Sequence, residues 1–250
     1  MSFLTLVALA ILTSPSSRGV TDYASPVPKA SRQLVLVLTE NPSVTTGTLH
    51  RFTRDSESSS WKRVGEPWPI VVGRTGLASG RGFHRGSLPG LAAKTEGDNK
   101  SPAGVFALTQ AFGFSEKPKG LAMPYLPVSK DLECVDDSAS SRYNQLVARG
   151  SVEKADWKSS EKMREIEVYQ WGVVVAHNAE PVSTGEGSCI FLHAWSGPKS
   201  TTAGCTAMEP PRIEELVRWL RADDSPVLVQ LTTSLYRELK STWRLPAVAP

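Results

Sequence analysis

The apolar residues of this chain come in short runs, and glycine and proline cut those runs apart. The 250 residues include 19 glycines and 18 prolines. So many breakers sit badly with a bundle of long helices and require many turns. Between them lie stretches with the length and the β-branched, aromatic content of strands. Residues 33–39 (QLVLVLT) read as a buried strand. Residues 48–54 and 61–64 read as a hairpin across a serine-rich turn, and 69–72 as a further short strand. The pattern resumes at 105–108, is clearest at 168–176 (VYQWGVVVA) and 188–193 (SCIFLH), and returns at 227–231. One stretch has the helical period. Pro210 and Pro211 suit a first turn, Ile213, Leu216, Val217 and Leu220 form an apolar stripe, and 223–226 (DDSP) stops it. These elements predict a mainly β domain, a sandwich or barrel, with a few short helices and one amphipathic helix.

Two long segments lack this periodicity. Residues 73–104 are glycine-rich and predict a long surface loop, of the kind that usually carries function. Residues 133–164 are polar and predict loop with one or two short helices. At the N-terminus, 3–12 (FLTLVALAIL) is an apolar run with the length of the apolar part of a secretory signal, although no Lys or Arg precedes it. The expected organisation is a signal segment over 1–20, a Ser/Pro-rich linker over 21–32 and one catalytic domain over 33–246. No apolar stretch reaches the roughly 18 residues of a membrane span, so no integral membrane segment is expected. Hydrophobic residues at 40% and charged residues at 21% exclude wholesale disorder. With 28 basic and 25 acidic residues the net charge is only +3, and the seven tryptophans form no stacking array. A nucleic-acid partner is therefore not expected.

Chemistry concentrates in 189–208 (CIFLHAWSGPKSTTAGCTAM). His193 ends an apolar strand, and Cys205 follows a glycine after a Ser/Thr-rich loop. If that loop doubles back, the two make a nucleophile with an adjacent base. A nearby imidazole and a helix N-terminus would both favour the thiolate. Gly204 would allow the close backbone approach that an oxyanion hole needs. The plainer reading is a buried cysteine and a scaffold histidine. A zinc site of Cys189, His193 and Cys205 lacks paired ligand spacing and a fourth ligand, so no metal and no cofactor is expected. Three cysteines in an exported chain mean one bridge plus a free thiol, or three free thiols. Cys134–Cys189 is the natural bridge, since Cys205 has the more reactive setting. His177 reads as a core or surface histidine, with a supporting partner of the Cys–His pair as the alternative, and His84-Arg85 as solvated loop, with contact to an anionic substrate as the alternative. Lys94, Glu96, Asp98 and Lys100 read as a solvated mixed-charge face. Trp195 either walls a cleft or simply packs.

The spaced motifs resemble one family. The pair H-A-W (193–195) and T-A-G-C (202–205) resembles the signature of the L,D-transpeptidase catalytic domain (YkuD-like). The run G-D-N-K-S-P-A-G-V-F (97–106) resembles a motif of one exported branch, as do C-V-D-D (134–137), Y-N (143–144), W-G-V (171–173) and G-C-T-A-M (204–208). The resemblance implies a mainly β domain in which Cys205 is the nucleophile and His193 its base. It further implies Gly204 and Cys205 N–H groups as oxyanion donors, with Thr202 in the place of the motif's serine. The implied substrate is a peptidoglycan stem tetrapeptide, which loses D-Ala and is joined 3→3 to a second stem, in the periplasm or cell envelope. Two departures are visible. Ala203 stands where many members have His, and Thr206-Ala207-Met208 where many have an Arg that holds the substrate carboxylate. That role would then fall to Arg85, Lys94 or Lys199. Water as acceptor would make the enzyme an L,D-carboxypeptidase. A non-catalytic peptidoglycan-binding domain is the remaining alternative. The sequence is silent on oligomeric state.

Overall fold

A computed structural model describes residues 25–248. The expected signal segment over 1–20 lies outside them. The apolar runs form strands: β1 (Gln33–Thr39), β2 (Thr46–Thr53), β3 (Lys62–Val71), β4 (Leu77–Ser79), β5 (Ser101–Gly113), β6 (Tyr125–Pro127), β7 (Leu132–Val135), β8 (Leu146–Ala148), β9 (Ser160–Lys162), β10 (Trp171–Val175), β11 (Phe191–Ala194) and β12 (Thr206–Met208). Helix α1 (Pro210–Trp219), strand β13 (Val227–Thr232) and helix α2 (Thr233–Leu239) complete the domain. The fold is mainly β, with a barrel-like sheet.

The main sheet runs β10-β11-β12-β3-β2-β1-β13-β5, and β10 also pairs with β5, which closes the ring. Closure removes the exposed edges on which open sheets aggregate. The long strand β5 makes it possible. Its first half pairs with β13 (Gly104 beside Gln230) and its second half with β10 (Phe112 beside Gly172). Strand β1 is buried along its whole length, so its interior, 34–38, is continuously apolar instead of alternating.

Several expectations change. The runs at 61–64 and 69–72 are one strand, β3, paired to β2 with a bulge between Leu49 and Arg51. The first residues of 168–176 form a 3-10 turn (Glu167–Gln170), not strand. Residues 133–164 are not simply loop and short helix. They hold most of a separate three-stranded sheet, β8-β7-β9, with 3-10 turns beside it. Its polar sequence follows from a buried hub: Glu133 accepts from Trp157 Nε1 at 2.6 Å and from Ser160 Oγ at 2.7 Å. There are two helices among the described residues, since α2 follows β13 directly. The Thr232 hydroxyl caps α2 by accepting from Leu235 N–H at 3.2 Å. In the segment before β1, Val27 is buried and the Ser31 carbonyl accepts from Arg54 Nε at 2.7 Å.

Two cores meet on β11. Leu192, Ala194 and Met208 join the main core with Ile213, Leu216 and Val217 of α1. Phe112, Leu132, Cys134, Met163, Tyr169, Cys189, Phe191 and Cys205 form a second core under the three-stranded sheet. Gly172 pairs with His193 at this seam. A Cβ there would stand 2.2 Å from the Phe112 ring. Gly172→Ala is therefore expected to lower stability by about 1–3 kcal/mol through overpacking, read as a fall in the midpoint of thermal unfolding.

Candidate active site

Strands β11 and β12 run parallel, with His193 beside Ala207. Side chains alternate across a strand, so Phe191 and His193 share the face turned away from Leu192. Cys205, immediately before β12, arrives on that same face. Its Sγ accepts from Phe191 N–H at 3.3 Å and donates to the Cys189 carbonyl at 3.4 Å. The turn carrying it is clamped. The Cys205 carbonyl accepts from Thr202 Oγ1 at 2.6 Å and from Ser101 Oγ at 2.8 Å, and Thr202 Oγ1 accepts from Gly204 N–H at 3.2 Å. Asp98 staples the neighbouring loop by accepting from Lys94 Nζ at 2.6 Å and from Lys100 N–H at 2.8 Å. The 97–106 motif thus holds the Cys205 turn in place.

Cys205 and His193, each 6% exposed, open on one cleft of about 410 Å³. His193 Nδ1 lies 2.6 Å from the Ala194 carbonyl. A carbonyl only accepts, so Nδ1 carries the proton and Nε2 is left as the acceptor. Burial pulls His193 down to about 4. Burial also pushes the Cys205 thiol up to about 12, reinforced by the Glu161 carboxylate and opposed by the Phe191 N–H and the Tyr169 hydroxyl. The resting pair is therefore neutral. Burial disfavours the thiolate expected from imidazole and helix dipole, and strand β12 separates Cys205 from α1.

Tyr169 closes the back of the site. Its ring meets His193 edge-on at 5.1 Å and Phe191 at 5.5 Å, and its hydroxyl donates to Glu161 Oε2 at 2.7 Å. Burial raises Glu161 to about 7, against the Tyr169 hydrogen bond and with Asp136 and Glu96 adding to the rise. Glu96, Asp136 and Glu161 all line the cleft. Glu96 accepts from the Ser188 and Tyr143 hydroxyls.

The remaining residues singled out in the sequence fall out as follows. Gly204, Thr202, Lys94 and Trp195 line the cleft with His193 and Cys205. Arg85 is exposed on the glycine-rich loop and is not part of that lining. Lys94 is 5% exposed and its ammonium is taken up by Asp98 and the Thr95 carbonyl. Of this charge run Glu96 is exposed as expected, but Lys94 is buried and its cation is already neutralised. Lys199 is exposed and outside the lining. His84 is buried rather than solvated, with Nδ1 accepting from Val105 N–H at 3.2 Å. His177 is buried too, accepting from Arg81 N–H at Nδ1 and donating from Nε2 to the Glu186 carbonyl. Cys134 and Cys189 form a disulfide with Cα atoms 5.9 Å apart, and Cys205 is free. The bridge removes the Cys189 thiolate that a zinc site would need. It also ties β7 to the residue whose carbonyl receives the Cys205 thiol. Cys189 has a φ of 55°, a left-handed conformation costing a non-glycine residue about 1–2 kcal/mol. Its N–H donation to Asn144 Oδ1 at 2.9 Å helps to hold it there.

Sequence reasoning gave no functional role to Tyr169, Glu161, Asp136 or Glu96. Tyr169 and Asp136 lie within stretches noticed for other reasons, V-Y-Q-W-G and C-V-D-D. Glu161 has no local signal at all.

The model of the L,D-transpeptidase catalytic domain family (YkuD) matches residues 49–229. The chain belongs to this family. No curated protein and no solved structure matches it. Members of the family are transferases or peptidases that act on peptidoglycan. Among the described residues, no helix is long and apolar enough to cross a membrane.

Two measurements check this site. The unfolded, non-reduced chain should show one reactive thiol, and the reduced chain three. The pH dependence of thermal stability should separate the buried groups. His177 and His193 drop from 6.5 unfolded to about 4 folded, so their contribution is present above 6.5 and lost as pH falls toward 4. Glu161 rises from 4.5 to about 7, so its contribution has the opposite sign and is lost as pH rises through that window. His177→Gln should flatten the acid-side loss in melts between pH 4 and 8, and Glu161→Gln the loss toward pH 7.

Proposed function

We propose that this protein is a cysteine-dependent L,D-transpeptidase acting on peptidoglycan stem peptides. One observation carries the reading: the Cys205 thiol and a tautomer-fixed His193 open on the same cleft. His193 Nε2 takes the thiol proton, and the sulfur attacks the carbonyl of the bond between the L-centre and the D-centre of a tetrapeptide stem. The Cys205 backbone N–H receives the oxyanion; the Gly204 N–H, the other donor the family resemblance implies, is taken up by Thr202 Oγ1. The imidazolium returns its proton to the departing D-Ala amine, leaving a thioester on Cys205. The side-chain amine of a diaminopimelate on a second stem then resolves it into a 3→3 cross-link. Trp195 and Thr202 bound the cleft around the donor. The low resting acidity of the thiol fits a nucleophile that ionises only when substrate brings new donors into the site.

The reading places the protein outside the cytoplasm, in the periplasm or cell envelope. Support comes from the Cys134–Cys189 bridge, since disulfides persist in oxidising compartments. The retained thiol and imidazole weigh against a purely binding role, and the carboxylate-lined cleft favours an amine acceptor over water alone.

Incubation of the purified protein with tetrapeptide-rich sacculi should release D-Ala and produce 3→3 dimers in muropeptide analysis. Release without dimers would establish the carboxypeptidase instead, and neither product from folded protein would refute both. Intact mass should show an acyl adduct on wild type and none on Cys205→Ser. His193→Ala should slow adduct formation by about 10²–10⁴-fold.

A further inference from the structure

The cleft carries negative charge that nothing in the fold neutralises. Glu96, Asp136 and Glu161 line it with Cys205, and none of the three pairs with a cation among the described residues. The nearby cations are committed elsewhere. Lys94 is held by Asp98, and Lys162, next to Glu161 on β9, reaches Glu133 at 3.9 Å. Asp136 and Glu161 are half-buried, and partly desolvated carboxylates with no partner cation favour a ligand that brings one. The carboxylates of either stem gain nothing from such a wall. The acceptor brings an ammonium group.

Glu161 is distinguished from the other two by its tie to the nucleophile. The Tyr169 hydroxyl bonds its Oε2, and the same tyrosine lies against both Cys205 and the His193 ring. Tyr169 thus fixes the carboxylate beside the position of the thioester while leaving Oε1 with no protein hydrogen bond among the described residues. We propose that Glu161 is the base that takes the proton from the acceptor ammonium so that the free amine can attack the Cys205 thioester. This rests on the transpeptidase reading above and assigns the second half of the reaction to a different residue from the first.

The step balances. An N–H proton of the ammonium moves to Glu161 Oε1, and the electron pair stays on nitrogen. The amine attacks the thioester carbonyl and the C–S bond breaks, its pair going to Sγ. The second N–H proton passes to His193 Nε2 and on to Sγ, restoring the thiol and the neutral imidazole. Glu161 then loses its proton to water. The groups facing Glu161 are the Tyr169 hydroxyl, Asp136 after β7, Glu96 and the paired Lys94 of the glycine-rich loop, and Cys205 with His193 behind Tyr169. The neighbouring carboxylates and burial hold Glu161 near neutrality, which suits a base at physiological pH.

The test separates the two half-reactions in the full chain, using a donor tetrapeptide stem and a second stem bearing the amine. Adduct formation is followed by intact mass and dimer formation by muropeptide analysis, from pH 5 to 9. In wild type, dimer formation should fall about tenfold per pH unit below about 7, as expected for a required base. Glu161→Gln should form the acyl adduct at least as fast as wild type, since the carboxylate that disfavours the thiolate is gone, yet give dimers about 10²-fold more slowly and without that pH limb. Glu161→Asp should recover part of the dimer rate. Dimers from Glu161→Gln at the wild-type rate and pH profile would overturn the proposal. So would loss of the adduct in a Glu161→Gln protein with a normal melt, which would place Glu161 in the first half-reaction. Absence of any adduct on wild type would instead refute the transpeptidase reading itself.

Discussion

Side chains alternate along β11, so Phe191 and His193 present theirs on one face, and the parallel pairing of β12 with β11 brings Cys205 beside Phe191 on that face. A connection between parallel neighbours must cross over instead of turning back as a tight hairpin, so residues 195–205 form a loop. The rest of the site depends on fixing where that loop ends. The Ser101 and Thr202 hydroxyls do so by sharing the Cys205 carbonyl. Loss of either would leave a buried carbonyl short of a partner and free the backbone at Cys205.

The other face of the problem is burial. The thiol and imidazole stand between two apolar cores, which holds both uncharged. That arrangement protects a free cysteine from oxidation, since thiolate character governs susceptibility. It also makes reactivity depend on what enters the cleft. The disulfide belongs to the same device, because it fixes the strained residue whose carbonyl accepts the thiol proton.

Much of the fold was legible in the sequence. Strand β1 coincides with its apolar run, and α1 starts at Pro210 as its proline pair and stripe predict. What failed had physical causes. The small sheet at 132–162 escaped notice because its hub is a hydrogen-bonded Glu133, and a strand built around a buried charge has no apolar alternation. Helix α2 was missed because its seven residues are too short for a period to declare itself. The burial of Lys94 within its charged run escaped notice because i, i+4 pairing with Asp98 inside a loop leaves no trace in composition.

The sequence by itself determined the mainly β class, the family and the Cys–His segment, because those reside in local periodicity and in motifs a few residues long. Tertiary structure alone decided the charge state of that pair and the company it keeps. Tyr169, Glu161, Asp136 and Glu96 come from four separate stretches of chain and meet only where the second sheet closes over the barrel. Electrostatic environment is set by distance and burial in space, and neither quantity is written along the chain.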